Sequence, residues 1–209
     1  MKGKFIVFEG IDGSGKTTQQ KRLAERLRGE GKMVYMTAEP TEMPTGKALR
    51  EALAGKVKKS EWDMALMFVS DRIAHNLDEE SGIRKKLDEG YYVICDRYYY
   101  STLAYQGYST DYEWIRGMNL SCPEIIRPDI CIYLDLLPSQ SLERISAGRQ
   151  TTEIYENEET LARVREKFLS VIDDIGERDN IKRIDAYRTP DEIAEDVYAA
   201  LCDAFGDEM

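Results

Sequence analysis

Near the amino terminus, Gly10-Ile11-Asp12-Gly13-Ser14-Gly15-Lys16-Thr17 satisfies the pattern G-x-x-x-x-G-K-[ST] without exception. The spacing has a chemical reason. Glycines let backbone N–H groups turn inward around phosphate oxygens, and a helix starting behind them aims its positive end at the same anion. Lys16 supplies a mobile cation for the bridging and terminal phosphates, and Thr17 a hydroxyl for Mg²⁺. Gly10, Asp12, Gly13, Ser14, Gly15 and Thr18 complete a candidate phosphate cradle. Such a loop implies a nucleoside triphosphate as donor and leaves the acceptor open.

A second anion site follows the apolar run Tyr91 to Cys95, where Asp96 and Arg97 stand side by side. A guanidinium there can grip a phosphate bidentately, and the neighbouring carboxylate can orient it or hold a magnesium-bound water. No N-K-x-D motif for guanine occurs, and no D-x-x-G follows a second strand in the place a GTPase switch requires. That leaves a kinase ahead of a regulatory switch. The single histidine, His75, sits between Ala74 and Asn76 in a helical pattern and reads as a surface or packing residue, so histidine-based triads and His-rich metal sites are disfavoured.

These groups need a scaffold, and apolar strand-like runs alternate with helical ones. Strands are expected at Lys4 to Glu9, Met33 to Thr37, Tyr91 to Cys95, Ile130 to Asp135 and Ile181 to Asp185. Helical spacing lies between them, as in Leu23 and Leu27, or Trp62, Leu66, Val69, Ile73 and Leu77, with breaks at Gly29, Gly31, Gly55, Gly90, Pro128 and Pro138. That order predicts an α/β fold with a mainly parallel sheet and helices on both faces. Ligands of such sheets gather at the carboxyl ends of the strands, which selects Gly10 to Thr17, Glu39 and Pro40, Asp96 and Arg97, and the loop after Asp135.

A chain of 209 residues suits one domain, 1–209, around a single core. The net charge of −10 disfavours nucleic acid and anionic membrane as partners. Cys95, Cys122, Cys131 and Cys202 form no C-x-x-C pair and read mostly as small buried hydrophobes. There is no signal-peptide pattern and no long apolar run, so a cytoplasmic location is expected.

Read in order, FEGIDGSGKTTQ, EPT at Glu39 to Thr41, MFVSDR at Met67 to Arg72, CDRYYYSTLAYQG, RPDICIYLDL at Arg127 to Leu136, and YEN at Tyr155 to Asn157 resemble the thymidylate kinases over nearly the whole chain. The resemblance implies a P-loop NTPase fold with a five-stranded parallel sheet and a small lid at about 144–157. It also implies transfer of the terminal phosphate of ATP, with Mg²⁺, to dTMP in dTTP synthesis by a homodimer. Phe68 corresponds to the aromatic that stacks on thymine and Arg72 to the residue bonding a base carbonyl; their F-x-x-x-R spacing independently puts both on one helix face. Arg97 resembles the grip on the acceptor phosphate, and Tyr105 the residue that favours deoxyribose. Ser101, Thr102 and Gln106 fall in the same substrate-binding stretch, Glu39 and Pro40 match the acceptor loop, and Asp12 resembles the carboxylate for the 3′-hydroxyl. Of Tyr98 to Tyr100, at least one is expected in the core. The acceptor oxygen is already anionic at neutral pH, so alignment and charge neutralisation suffice without a general base.

Two departures stand out. The family places a catalytic arginine in the lid or in the phosphate loop; here the loop holds Ser14, which moves the role to the lid, to Arg149 first and Arg144 second. Ala38-Glu39-Pro40-Thr41 stands where many members carry R-E-P-G. Ile184 to Ile193 resembles the loop lining the adenine pocket, and the helix from Pro190 to Phe205 reads as a packing element. The alternatives are a kinase for another deoxynucleotide or a deoxynucleoside, and a protein that senses ATP without turnover.

Overall fold

A computed structural model describes residues 3–148 and 157–206. Strands β1 (Lys4–Glu9), β2 (Val34–Ala38), β3 (Tyr92–Asp96), β4 (Ile130–Asp135) and β5 (Ile181–Asp185) alternate with helices α1 (Lys16–Gly29), α2 (Pro44–Leu53), α3 (Glu61–Leu77), α4 (Ile83–Asp88), α5 (Tyr99–Ser109), α6 (Tyr112–Leu120), α7 (Pro138–Gly148), α8 (Glu158–Ile175) and α9 (Pro190–Phe205). All pairings are parallel, in the order β2-β3-β1-β4-β5. Three runs, Phe5 to Phe8, Val93 to Cys95 and Ile130 to Leu134, are buried on both faces, as expected of central strands in a doubly covered sheet. With β1 in the middle, chain connections leave in opposite directions on either side of it, which opens a crevice at its carboxyl end.

β2 and β3 each lie one residue later than the sequence suggests. Asp96 still pairs with Phe8 and Ala38, and the Glu39 N–H donates to the Asp96 carbonyl at 2.9 Å, so the ladder runs to the aspartate. Tyr98, Tyr99 and Tyr100 are all buried, not just one of them. Cys95 and Cys131 are buried, whereas Cys122 and Cys202 are only half so.

The larger difference concerns α3. Its apolar spacing locates the helix, begun by a Ser60/Asp63 capping box, but not its inner face. Trp62, Leu66 and Leu77 are 48%, 50% and 41% exposed, while Asp71, Arg72, His75 and Asn76 are buried. Those inward groups belong to a polar network with partners on other elements, so the helix face is chosen by hydrogen bonding and not by apolar area.

At the other side of the sheet, Asp135 closes β4. Its carboxylate accepts from Arg165 on α8 (2.7 and 3.0 Å) and from Arg183 on β5 (2.9 and 2.6 Å). Burial alone would raise its pKa, but the guanidinium hydrogen bonds outweigh that and hold it below the usual carboxylate value. A folded-state pKa below the unfolded one adds stability that is present above about pH 4 and is lost as pH falls through the folded value. Asp135→Asn should therefore cost about 2 kcal/mol of unfolding free energy at pH 7, the scale of charge-assisted hydrogen bonds. Urea unfolding at pH 7 and in acid checks this: the gap to wild type should shrink in acid, and a pH-independent gap contradicts it.

Candidate active site

The phosphate loop joins β1 to α1 through three glycines at positive φ, Gly10 (143°), Gly13 (76°) and Gly15 (95°). A Cβ on Gly10 would lie 2.6 Å from the Leu134 carbonyl, so the tight start of the loop excludes a side chain. Gly15 caps α1 in the left-handed conformation with no side-chain cap, which leaves the helix N–H groups for a ligand. Lys16 folds back across the loop and donates to the carbonyls of Gly10 (2.9 Å) and Ile11 (3.2 Å). Burial, joined by the positive charge of Arg97, lowers its pKa against the pull of Asp12, Asp96 and Glu9. Phosphate oxygens would supply the negative charge this cation lacks.

Across the crevice, Arg97 stands just past β3 at φ 64°, its N–H bonded to the Phe8 carbonyl at 2.9 Å. Its guanidinium donates to Asp12 Oδ1 at 2.6 Å and to Ser101 Oγ at 3.0 Å, and lies 5.4 Å from the Tyr105 ring centroid. Asp12 is also 4.0 Å from Lys16 Nζ, so one carboxylate stands between two cations, Lys16 and Arg97. Burial pushes the Tyr105 hydroxyl well above its usual pKa, which keeps it neutral.

Arg72 on α3 is 1% exposed. It donates to Glu39 (2.9 and 2.7 Å), to Asn119 Oδ1 (2.5 Å) and to Thr102 Oγ1 (3.2 Å), and its guanidinium lies over the Tyr98 ring. Glu39 in turn meets His75 Nδ1 at 3.1 Å, and His75 Nε2 meets Thr37 Oγ1 at 2.7 Å. His75 is thus a packing residue that also holds, through its ring nitrogen, the carboxylate that holds Arg72. Phe68 packs beside Leu49, Ala52 and Met64. Thr41, at the A-E-P-T departure, gives its N–H and hydroxyl to Asp71, and Arg50 donates to the Pro40 and Thr41 carbonyls, which fastens the loop after β2.

A cavity of about 1050 Å³ contains most of these groups. At its β2 side the wall includes Glu39, Pro40, Arg50, Phe68, Arg72 and Gln106; at its centre Asp12, Lys16, Asp96, Arg97, Ser101 and Tyr105; and towards α7 and α9 it includes Arg144, Arg188 and Ile193. Gly13, Ser14, Gly15, Thr17 and Thr18 also line it. Two of the expected residues do not reach it. Gly10 is buried with its carbonyl turned to Lys16, and Thr102 lies beneath Arg72 as a hydrogen-bond acceptor. Thr102 thus supports Arg72 from below. Arg149 lies outside the described residues. Arg144 donates to the Ala186 carbonyl at 2.9 Å and, at 3.4 Å, to that of Gly13.

Arg50 belongs to this site without a motif to announce it, and Glu9, inside FEGIDGSGKTTQ, lies behind the cavity wall and bonds Tyr98 and Ser101. Arg50 follows Pro40 by a loop and more than a turn of α2, and only the fold brings it to the wall. Glu9 reads as the last residue of a strand. For magnesium, the donor set fits: Thr17 offers an exposed hydroxyl on the rim, and Asp96 Oδ1 is buried with no hydrogen-bond partner among the described residues. No cluster of three His, Cys, Asp or Glu that could hold a metal occurs among the described residues.

A family model for thymidylate kinase matches residues 8–197. A probable thymidylate kinase of Pyrococcus horikoshii is 39% identical over 207 residues, 96% of this chain and 97% of that protein. One of Pyrobaculum calidifontis is 41% identical, covering 94% and 95%, and one of Methanococcus aeolicus 43% identical, covering 82% and 80%. The family match takes in the phosphate loop, the Phe68/Arg72 face of α3, the Arg97 turn and the start of α9, and the chain belongs to the thymidylate kinase family.

Proposed function

We propose that this chain transfers the terminal phosphate of ATP to dTMP, giving dTDP and ADP, as a step of dTTP synthesis. The observation that carries this reading is the contact of Arg97 with Asp12, 2.6 Å, inside a cavity that also holds Lys16 and Phe68. An acceptor-phosphate grip and a donor-phosphate loop meet there through one carboxylate. Family membership supports thymidine as the base. Phe68 and Arg72, one helical turn apart, would take its face and edge, and the Tyr105 ring would close the sugar side.

In this reading the loop N–H groups and Lys16 bind the donor phosphates, and Arg97 with Arg50 holds the acceptor phosphate in line. Asp12 orients Arg97 and takes the sugar hydroxyl. Thr17 and, through water, Asp96 would hold magnesium, which would supply positive charge beside the phosphates. Catalysis then comes from alignment in a water-poor cavity, and no side chain needs to remove a proton. Arg149 is taken as the arginine on the transferring phosphoryl, with Arg144, which donates to the Ala186 and Gly13 carbonyls, as the second choice.

The same reading takes 1–209 as one kinase unit with a lid at about 144–157, active as a cytoplasmic homodimer. The outward Trp62, Leu66 and Leu77 of α3, with Trp114 of α6 5.0 Å from Trp62, support a self-association face. No helix among the described residues is long and apolar enough to cross a membrane.

An ADP-release assay with ATP, Mg²⁺ and a panel of monophosphates tests the substrate. dTMP should exceed dUMP, dCMP, GMP and AMP, and equal turnover with any of them would reject the assignment. Arg149→Ala should lower kcat by about a hundredfold or more while leaving the dTMP KM near wild type, as expected when a contact forms only in the transition state. Unchanged kcat in that variant would move the role to Arg144.

A further inference from the structure

The residue just before the phosphate loop has no assigned part in the reaction, yet its carboxylate accepts three hydrogen bonds from the segment that carries Arg97 and Ser101. Glu9 is 1% exposed. Its Oε1 accepts from the N–H groups of Tyr98 (2.8 Å) and Ser101 (3.0 Å), and its Oε2 accepts from the Ser101 hydroxyl (2.7 Å). We propose that Glu9 is the positioning residue for the acceptor phosphate: from the end of β1 it caps α5 and, through the Ser101 hydroxyl, aims the Arg97 guanidinium. This rests on the dTMP kinase reading above.

Three features support this role. Tyr98 is the N-cap of α5 and offers no side-chain cap, and Tyr98 to Tyr100 are committed to the core. The N-terminal N–H groups of a buried helix still need acceptors, and Glu9 supplies them from a neighbouring strand, as Ser or Asp would from the cap itself. Next, Arg97 holds φ 64°, a conformation that costs a non-glycine residue about 1–3 kcal/mol and persists only when its surroundings impose it. Those surroundings are β1: the Phe8 carbonyl takes the Arg97 N–H, and Glu9 takes the next N–H along.

The third feature separates a positioning role from capping alone. A hydroxyl has one proton. Ser101 gives its proton to Glu9 and therefore turns a lone pair to Arg97 Nη1, at 3.0 Å, while Asp12 holds Nη2 at 2.6 Å. The charge on Glu9 thus sets the sense of the Ser101 hydroxyl, and with Asp12 it defines the plane of the guanidinium. Glu9→Gln keeps an oxygen for the two backbone N–H groups. It also puts an amide donor where the Ser101 proton had its acceptor, so the hydroxyl must turn its proton elsewhere and its contact with Arg97 shifts.

The test is steady-state kinetics on wild type, Glu9→Gln, Ser101→Ala, Ser101→Thr and the Glu9→Gln/Ser101→Ala double variant. Glu9→Gln should stay folded and raise the dTMP KM about tenfold, equivalent to about 1.4 kcal/mol, with the ATP KM within about twofold of wild type. The double variant should be little worse than Ser101→Ala, because both substitutions cut one chain of contacts. A wild-type dTMP KM in Glu9→Gln, equal rises in both KM values, or additive losses would overturn the proposal. Should Glu9→Gln fail to fold, the serine variants decide: Ser101→Ala must raise the dTMP KM alone and Ser101→Thr must recover most of it, and any other pattern overturns the role. Wild-type turnover in the same series keeps the failures apart. A wild type that prefers another monophosphate rejects the substrate, whereas a wild type active on dTMP with an unaffected Glu9→Gln rejects only the part given to Glu9.

Discussion

Five charges share a small, largely dehydrated volume at the carboxyl ends of β1 and β3: Glu9, Asp12, Lys16, Asp96 and Arg97. None is tolerable there alone, because a charge removed from water without partners is far more costly than any single contact can offset. Together they hold each other. Asp12 lies between Arg97 and Lys16, Glu9 answers both through space and Arg97 through Ser101, and the lysine bonds its own loop carbonyls. In the proposed reaction the cluster would couple two sites, one for a phosphate that leaves and one for a phosphate that receives.

The base side obeys the same constraint by another route. Arg72 is buried, yet three acceptors from three elements, Glu39, Asn119 and Thr102, surround it. Because α3 must turn these groups inward, its tryptophan and leucines are turned outward. The polar demand of the site and the apolar outer face are therefore two sides of one helix. Asp71, on the same helix, ties down the loop that carries Glu39 and Pro40 through hydrogen bonds from Thr41 and Thr45.

Much of this could be read from the chain. Strand-loop-helix order and the phosphate motif depend on local pattern, and all five strands lie within one residue of their expected bounds. Phe68 and Arg72 were legible from a helical interval together with the family resemblance. What escaped depends on three-dimensional closure. The inner face of α3 could not be read because apolar periodicity assumes that burial follows hydrophobicity, and here hydrogen bonding decides. Thr102 reads as a ligand contact until Arg72 is seen to cover it. His75 reads as an ordinary helix residue because its partners, Thr37 and Glu39, lie on a different strand and loop. Arg50 carries no spacing signal at all, and Glu9, although it falls inside FEGIDGSGKTTQ, reads only as the end of a strand.

The central claim is that Asp12 and Arg97 form one unit joining the donor loop to the acceptor site. Calorimetric titration of dTMP into wild type, Asp12→Asn, Arg97→Lys and the double variant tests it most directly. The account predicts a coupling energy of about 1.5 kcal/mol or more, with the double variant losing clearly less than the sum of the single losses. Strictly additive losses would mean that the two residues act independently, and would contradict it.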